Sequence, residues 1–212
     1  MNTDQIRSSL APYGLALSEE EASKARAYID LLSGWNRKIA LTAIREEDEI
    51  LRFHFGESMF AVTLCEMKDG RLADVGTGAG FPGLAIKIIR PDLGVTLIEP
   101  NKKKCAFLHE VIRALEFRDV EIQSTGFEAA SIGAGTLSYI TSRALTTAPK
   151  FLEWAQEKLT PSGRVLLWIG KEDCREMVRV PGWDWGEPIL IPGSSSRMIL
   201  SGTSAETQKI PA

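Results

Sequence analysis

The chain has 212 residues and a net charge of −3, with 44% hydrophobic and 25% charged residues. This composition is typical of a globular domain, and it excludes a disordered tail, a collagen-like repeat and a small disulfide-rich scaffold. The longest apolar run, Val165 to Ile169, is far shorter than the roughly 18 residues of a membrane-spanning helix, so we expect no membrane partner. Since the chain is not basic overall, a nucleic-acid partner would have to meet a local basic patch.

The patterns in the N-terminal third of the sequence predict that this part of the chain is helical. A short helix spans Thr3 to Leu10, and Ser18 with Glu21 has the S-x-x-E spacing of a capping box before a helix of about 20 residues. Another helix is predicted to start near Glu46, because four acidic residues crowd its first turn, where the helix dipole favours them. Gly56 either breaks this helix or marks a close packing contact.

From about residue 70 the pattern changes to strands that alternate with helices. The predicted strands are 71–75, 95–98, 120–123, 137–141 and 163–169, and the predicted helices are 84–89, 101–115 and 148–159. A turn is predicted at 161–163, before the fifth strand. The last 40 residues add two short strands, 188–191 and 197–200, as an antiparallel pair. Such alternation predicts an α/β protein with a mostly parallel sheet and helices on both faces.

One glycine-rich stretch lies where such a sheet binds ligands. The run Asp74-Val75-Gly76-Thr77-Gly78-Ala79-Gly80-Phe81-Pro82-Gly83 follows the first strand and precedes a helix. Glycines let the backbone approach a ligand closely, although a plain glycine-rich turn stays an alternative. A dinucleotide fingerprint needs glycine where this chain has Phe81, which disfavours a dehydrogenase. Glu99 ends the second strand, where a carboxylate can accept hydrogen bonds from both ribose hydroxyls.

The D-x-G-x-G-x-G spacing resembles motif I of class I S-adenosylmethionine methyltransferases, whose loop cradles the methionine part of the cofactor. From about residue 10 to 202 the chain is similar to the bacterial small-subunit rRNA guanine-N7 methyltransferase family, RsmG or GidB. The matching blocks are W-N-R at 35–37, L-T at 41–42, H-x-x-E-S at 54–58, G-F-P-G at 80–83, K-K at 103–104, F-L at 107–108, S-R-A at 142–144, and Arg197. The chain departs from the family's N-L-T, H-x-x-D-S and L-K-G at Ala40, Glu57 and Ile169-Gly170-Lys171.

The resemblance implies a Rossmann-like class I methyltransferase domain at residues 68–212, behind an N-terminal helical cap of residues 1–67. It implies S-adenosylmethionine as the methyl donor and S-adenosylhomocysteine as the product. The implied methyl acceptor is N7 of the guanine at nucleotide 527, in the 530 loop of 16S rRNA, so the partner is 16S rRNA or the small ribosomal subunit. We expect a cytoplasmic monomer. No metal site is expected, because Cys65, Cys105 and Cys174 are too scattered.

The expected site residues follow from the loop and from the resemblance. The predicted cofactor-binding residues are Asp74, Gly76, Thr77, Gly78, Gly80, Phe81, Glu99, Phe127, Glu128 and Arg143. Arg143 is also predicted to position the substrate, together with His54 and Lys171. Two simpler interpretations stay open: His54 as a hydrogen-bonded structural histidine and Phe127 as a core aromatic residue.

No residue is predicted to act as a catalytic acid or base. The segment after the fourth strand, Ser142-Arg143-Ala144-Leu145, lacks the [DNS]-P-P-[YFW] pattern of enzymes that methylate exocyclic amines, and the chain has no Pro-Cys nucleophile. N7 of guanine has a free lone pair and carries no proton, so in-line placement against the methyl group is sufficient.

Basic residues on one predicted helix are candidates for RNA contact. The candidates are Lys102, Lys103, Lys104, His109 and Arg113, together with Arg197 near the end of the chain. The alternative is that these residues only form the solvent-exposed face of an amphipathic helix, which is also rich in charged side chains. Arg37, Lys38 and Arg45 would add phosphate contacts if the fold brings them to one side. Two other functions stay open: a small-molecule methyltransferase, and a non-catalytic module that binds S-adenosylmethionine or RNA.

Overall fold

A computed structural model describes residues 1–65, 67–143 and 148–205. The N-terminal helices are α1 (Thr3–Leu10), α2 (Glu19–Asn36), α3 (Glu47–Ile50) and α4 (Glu57–Leu64). The capping box predicted before α2 is present: the Ser18 hydroxyl accepts a hydrogen bond from the Glu21 amide, and the Glu21 carboxylate accepts one from the Ser18 amide. A π-helical stretch, Leu51–Gly56, joins α3 to α4.

In the described part of the chain, eight strands form one sheet. They are β1 (Arg71–Val75), β2 (Gly94–Ile98), β3 (Val120–Gln123), β4 (Leu137–Ser142), β5 (Leu159–Gly170), β6 (Trp183–Trp185), β7 (Ile189–Leu190) and β8 (Arg197–Ser204). The order is β3-β2-β1-β4-β5-β8-β6, with β7 paired to β8. The strands β1 to β5 pair in parallel and β8 is antiparallel to its neighbours, which confirms the predicted fold class.

The later helices separate the strands and cover both faces of the sheet. They are α5 (Gly83–Ile89), α6 (Lys102–Ala114), α7 (Ala148–Lys158) and α8 (Lys171–Met177). One hydrophobic cluster joins α5 and α6 to the N-terminal helices, and a second cluster lies under α7 and α8. Leu72 and Ala73 are consecutive in β1 and belong to different clusters, because neighbouring strand residues face opposite sides. No described helix is long and apolar enough to cross a membrane.

Two details differ from the sequence-based expectations. The predicted turn at 161–163 is wrong, because β5 already begins at Leu159 and carries the extra residues as a bulge. Leu137 faces Leu159 in this pairing, whereas Tyr139 faces Arg164. The sequence patterns also failed to indicate α8 and β6, so the predicted antiparallel pair is part of a larger antiparallel end of the sheet.

Gly56 marks a close packing contact. A Cβ atom at this position would come within 2.5 Å of the Tyr13 ring. The π-helical stretch therefore packs directly on the turn that follows α1, which favours the packing interpretation of Gly56.

Candidate cofactor and substrate site

The loop between β1 and α5 lies at the carboxyl edge of the parallel strands. Gly76 and Thr77 donate backbone hydrogen bonds to the carbonyl of Ile98, the last residue of β2 (2.9 and 3.2 Å). Gly76 and Gly78 have positive φ angles of 69° and 61°, which favour glycine. A Cβ atom at Gly76 would meet nothing within 4 Å, and one at Gly78 only the Gly76 carbonyl at 3.9 Å. These two glycines thus border an open cradle that a side chain would fill.

The third glycine of the loop faces the helical cap instead. A Cβ atom at Gly80 would lie 2.1 Å from the Tyr28 hydroxyl, which donates a hydrogen bond to the Ala79 carbonyl (2.6 Å). The Phe81 side chain is buried and stacks on Tyr28, with 5.2 Å between the ring centroids. Packing against the cap therefore accounts for Gly80 and for the Phe81 ring, and only their backbone atoms remain to line the cradle.

Asp74, a buried residue of β1, holds both ends of the glycine loop through its carboxylate. Its fully buried carboxylate accepts hydrogen bonds from the Thr77 hydroxyl (2.5 Å), the Gly83 amide (2.8 Å) and the Thr141 hydroxyl (2.9 Å). Burial raises the pKa of Asp74 to about 6. The cofactor-binding role of Asp74 and Thr77 stays a prediction. Their side chains are buried and bonded to each other, and the bonds of Asp74 connect β1, β4, the loop and α5.

Glu99 borders the same loop from the end of β2. Its Oε2 accepts a hydrogen bond from the Gly78 amide (3.0 Å), and its Oε1 accepts one from the Asn101 amide (2.8 Å). A carboxylate oxygen has two lone pairs, so each oxygen keeps capacity for a further donor such as a ribose hydroxyl.

Phe127 and Glu128, which are predicted to bind the cofactor, follow β3. The Phe127 ring packs edge-on against Phe151 and Trp154, with centroid distances of 5.9 and 5.6 Å. Glu128 is exposed, and its carboxylate lies 3.9 Å from Lys150 Nζ. The packing of Phe127 on α7 favours the core interpretation of its ring.

Arg143 directly follows β4 and points its guanidinium into the cap. It donates hydrogen bonds to the Phe53 carbonyl (3.0 Å), to Glu57 Oε2 (3.1 Å) and to the Ser58 hydroxyl (3.3 Å). Glu57 is 1% exposed, and its Oε1 also accepts a hydrogen bond from Arg197 Nε (2.8 Å). The buried carboxylate thus joins Arg143, just after β4, to Arg197, the first residue of β8. The sequence patterns placed Glu57 and Ser58 only in a matching block and gave them no role.

Burial and charge act in opposite directions in this cluster. Burial raises the pKa of Glu57, while the charges of Arg143 and Arg197 lower it. Burial also lowers the pKa of Arg143, while the carboxylate of Glu57 raises it. Arg197 is the surface member of the cluster, and its guanidinium lies 4.9 Å from the centroid of the Phe53 ring. Burial outweighs charge in both groups, so the net pKa of Glu57 is raised and that of Arg143 is lowered.

His54 lies in the π-helical stretch and contacts the glycine loop through Phe81. The two rings stack with 4.8 Å between centroids, and His54 Nε2 is 2.8 Å from the Thr42 hydroxyl. Burial lowers the pKa of His54 to about 4, and the positive charge of Arg143 acts in the same direction. With this lowered pKa the imidazole is a weak base, and its Nδ1 is buried without a hydrogen-bond partner among the described residues. Both observations favour the structural interpretation over proton transfer.

Asn36 explains why the W-N-R and L-T blocks occur together. Its side-chain oxygen accepts hydrogen bonds from the amides of Leu41 and Thr42 (2.9 and 3.1 Å), and its side-chain nitrogen donates one to the Thr42 carbonyl (2.9 Å). One side chain at the end of α2 thereby fixes the following loop, and this loop in turn supplies the hydroxyl that contacts His54.

The remaining predicted residues lie outside the glycine loop. Lys171 is exposed at the start of α8, and its backbone amide bonds to the Ser196 carbonyl (2.9 Å). Four predicted RNA-contact residues of α6 are exposed: Lys102, Lys103, His109 and Arg113. The fifth, Lys104, is half-buried. Ala144 of the S-R-A block and Leu145 lie outside the described residues. Within those residues, no group of three potential ligands could hold a metal ion.

Comparisons with known proteins agree with this geometry. The model of the family described as rRNA small subunit methyltransferase G, GidB, matches residues 21–181. A relative with that name from Chloroflexus aggregans is 31% identical over 211 residues, which cover 94% of this chain and 89% of the relative. Another from Xanthomonas axonopodis pv. citri is 36% identical over 169 residues, which cover 78% of each chain.

Solved structures support the fold. A SAM-dependent methyltransferase from Aquifex aeolicus matches with a TM-score of 0.62 at 16% identity, over 73% of this chain and 93% of that one. The TYW2 protein of P. horikoshii, in complex with MeSAdo, matches with a TM-score of 0.57 at 14% identity, over 71% of this chain and 62% of that one. The Rossmann-like class I methyltransferase fold is therefore confirmed, and the chain belongs to the rRNA small subunit methyltransferase G (GidB) family.

Proposed function

We propose that the chain methylates N7 of one guanine in small-subunit rRNA, at nucleotide 527 of the 530 loop. The coarser statement follows from the family: the chain is an rRNA methyltransferase that depends on S-adenosylmethionine. The identity of the base, the N7 atom and the mechanism are the parts that we add.

The open cradle at Gly76 and Gly78 is the observation that carries the proposal. The backbone of these glycines would hold the methionine part of the cofactor, and the free lone pairs of Glu99 would accept hydrogen bonds from its ribose. Asp74 would keep the loop in the shape that leaves this space open. When bound, S-adenosylmethionine supplies a methyl group on a positively charged sulfonium.

The chemistry of the surrounding side chains suits attack by N7. The carboxylates of Asp74, Glu57 and Glu99 all accept hydrogen bonds from the protein, and His54 is neutral and in contact with Thr42. The three carboxylates are engaged by protein donors, and the free ring nitrogen of His54, Nδ1, is buried and weakly basic. N7 needs no general base, because it has a lone pair and no proton, so catalysis depends on proximity and orientation.

Arg143 is our candidate for orienting the guanine. A guanidinium has five N–H donors, and within the described residues Arg143 uses three of them on the protein. The remaining donors are Nε–H and one N–H of Nη1. Guanine presents O6 beside N7, so a donor to O6 would hold the base while N7 stays free to attack. Glu57 would keep this guanidinium in place as a positioning residue.

Three further statements belong to the proposal. The helical cap of residues 1–67 and the methyltransferase domain of residues 68–212 would work as one unit, because the contact between Glu57 and Arg143 joins them. The protein would act as a monomer, and it would act in the cytoplasm on 16S rRNA or the small subunit.

The test is methyl transfer to RNA. Small subunits and deproteinised rRNA that lack the modification are incubated with S-adenosylmethionine labelled in its methyl group. We expect label in the rRNA and a steep loss of rate with salt, since phosphate contacts release counterions. Absence of label from every RNA form would refute the proposal. Binding of RNA and cofactor without transfer would identify a non-catalytic module, and salt-independent transfer to a small molecule would identify the other alternative.

A further inference from the structure

A positively charged cleft lies between the end of α2 and the start of α3. It has a volume of about 180 Å³ and is lined by Leu32, Ser33, Asn36, Arg37, Ile44, Arg45 and Ile50. We call it the Arg37–Arg45 cleft. One water molecule needs roughly 10–15 Å³ of such space, so the cleft holds several waters or a hydrated anion. Two arginines are the only charged residues in this lining, and no acidic side chain faces them there.

The two arginines of the cleft form no ion pair within the described chain. Arg37 and Arg45 are both exposed, and neither lies within salt-bridge distance of an acidic group in residues 1–65, 67–143 or 148–205. Arg26, on the same helix as Ser33, contrasts with them, because it pairs with Asp30 and Glu47. The cleft therefore concentrates two unneutralised guanidiniums in a chain whose net charge is negative.

An unpartnered hydroxyl lies on the same wall. Ser33 Oγ is buried and has no hydrogen-bond partner among the described residues. Ser33 lies in the last turn of α2 and Arg37 caps that helix four residues later, so the two lie on one face. Because a buried polar group without a partner is costly, an acceptor in the cleft would satisfy this hydroxyl once the Ser33 side chain rotates toward it.

The cleft is tied to the candidate substrate site through the loop that follows α2. Asn36 lines the cleft and also bonds to both the amide and the carbonyl of Thr42. Thr42 contacts His54, and its hydroxyl accepts a hydrogen bond from the amide of Ile44, another lining residue (3.1 Å). A ligand held in the cleft would thus contact the segment 36–45, which also supports His54 beside the candidate site.

We propose that the Arg37–Arg45 cleft binds a backbone phosphate of the RNA segment that carries the target guanine. This inference rests on the proposed function, because it takes rRNA as the substrate. Guanidiniums bind phosphate oxygens with paired, charge-assisted hydrogen bonds. The Ser33 hydroxyl would donate one further hydrogen bond to the phosphate. Phosphate contacts position a nucleic acid without reading its sequence. The cleft would therefore fix the register of the RNA while the site selects the base.

The experiment measures RNA affinity without cofactor across a salt series. An unmethylated rRNA fragment with the 530 loop is titrated by fluorescence anisotropy with the wild type, Arg37→Gln, Arg45→Gln and the double variant. Arg179→Gln is the matched control, because Arg179 is an exposed arginine just after the distant α8 with no ion pair in the described chain. If both arginines bind one phosphate, the double variant lowers the slope of log affinity against log salt by about 0.7 to 0.9.

Three more readouts separate phosphate binding in the cleft from a general loss of charge or of folding. Ser33→Ala should weaken RNA binding about tenfold with an unchanged salt slope, because it removes a hydrogen bond and no charge. Inorganic phosphate at constant ionic strength should compete with RNA for the wild type and not for the double variant. Calorimetric affinity for S-adenosylhomocysteine should be equal in all variants, which shows that the cofactor site is intact.

The outcomes are distinguishable from failure of the proposed function. If the wild type methylates rRNA while the double variant keeps the wild-type affinity and salt slope, the cleft proposal is overturned alone. An equal loss in the Arg179→Gln control would also overturn it. If the wild type does not methylate rRNA but binds it with a slope that depends on Arg37 and Arg45, the cleft is supported and the proposed function fails.

Discussion

Replacement of Gly78 by alanine separates the cost of backbone strain from the cost of filling the cradle. Gly78 has a φ of 61°, so alanine is strained there whatever space surrounds it. Gly135 is the matched control, because its φ is 65° and a Cβ atom would meet nothing within 4 Å. Gly135 precedes β4, at the opposite edge of the sheet from the glycine loop. Each substitution should lower the free energy of unfolding by about 1 to 2 kcal/mol.

The two variants should differ only in cofactor binding. In Gly78→Ala the added methyl group projects into the cradle, where the single protein atom within 4 Å is the Gly76 carbonyl oxygen. We expect the affinity for S-adenosylhomocysteine to fall at least tenfold, equivalent to about 1.4 kcal/mol. Gly78→Val should abolish measurable binding while the fold is retained, because its branched side chain fills more of the cradle. Gly135→Ala should bind like the wild type.

Thermal unfolding and isothermal titration calorimetry are the assays. The losses of stability predict decreases in Tm of roughly 2–8 °C for both alanine variants. If Gly78→Ala and Gly135→Ala are equally destabilised and both keep the wild-type affinity, the cradle does not hold the cofactor and the reasoning is refuted.

Three further predictions concern the buried charged groups. Glu57→Gln should lower kcat at least tenfold with unchanged affinity for S-adenosylhomocysteine, because Arg143 loses its carboxylate partner; a wild-type kcat would contradict this role. The stability of the wild type relative to His54→Gln should fall by about 2 kcal/mol from pH 7 to pH 4.5, since the folded pKa of His54, about 4, is below the unfolded value of about 6.5. The stability of the wild type relative to Asp74→Asn should rise by about 2 kcal/mol as the pH falls from 7 to 4.5. The reason is that the folded pKa of Asp74, about 6, is above the unfolded value of about 3.8. Urea unfolding at both pH values checks the last two, and differences that do not change with pH would contradict them.

Local patterns were sufficient to predict most of the fold. The S-x-x-E spacing predicted the start of α2, and the alternation of strands and helices predicted the parallel part of the sheet. These features depend on residues close in sequence. The bulge in β5 was missed because it depends on a neighbour: a Cβ atom at Gly163 would come within 2.8 Å of the Leu137 carbonyl, 26 positions earlier.

The site could be predicted only in part, because its parts come from distant segments. Glu57 bonds to Arg143 and Arg197, which follow it by 86 and 140 positions. No periodicity in a single sequence indicates such a contact. Nor could the sequence separate Gly78, which borders the open cradle, from Gly80, which packs on Tyr28. Both glycines belong to the same G-x-G-x-G run and both have a positive φ. Only the packing of the cap on Gly80 distinguishes them.

Chemical mapping of the methylated atom tests the central claim most directly. Unmodified small subunits or rRNA are incubated with the protein and S-adenosylmethionine, reduced with borohydride and treated with aniline, which breaks the RNA chain only at N7-methylguanine. The account predicts one break, at the guanine of the 530 loop, that is absent without protein. Incorporation of methyl groups into the RNA without that break, or with breaks at other guanines only, would contradict it.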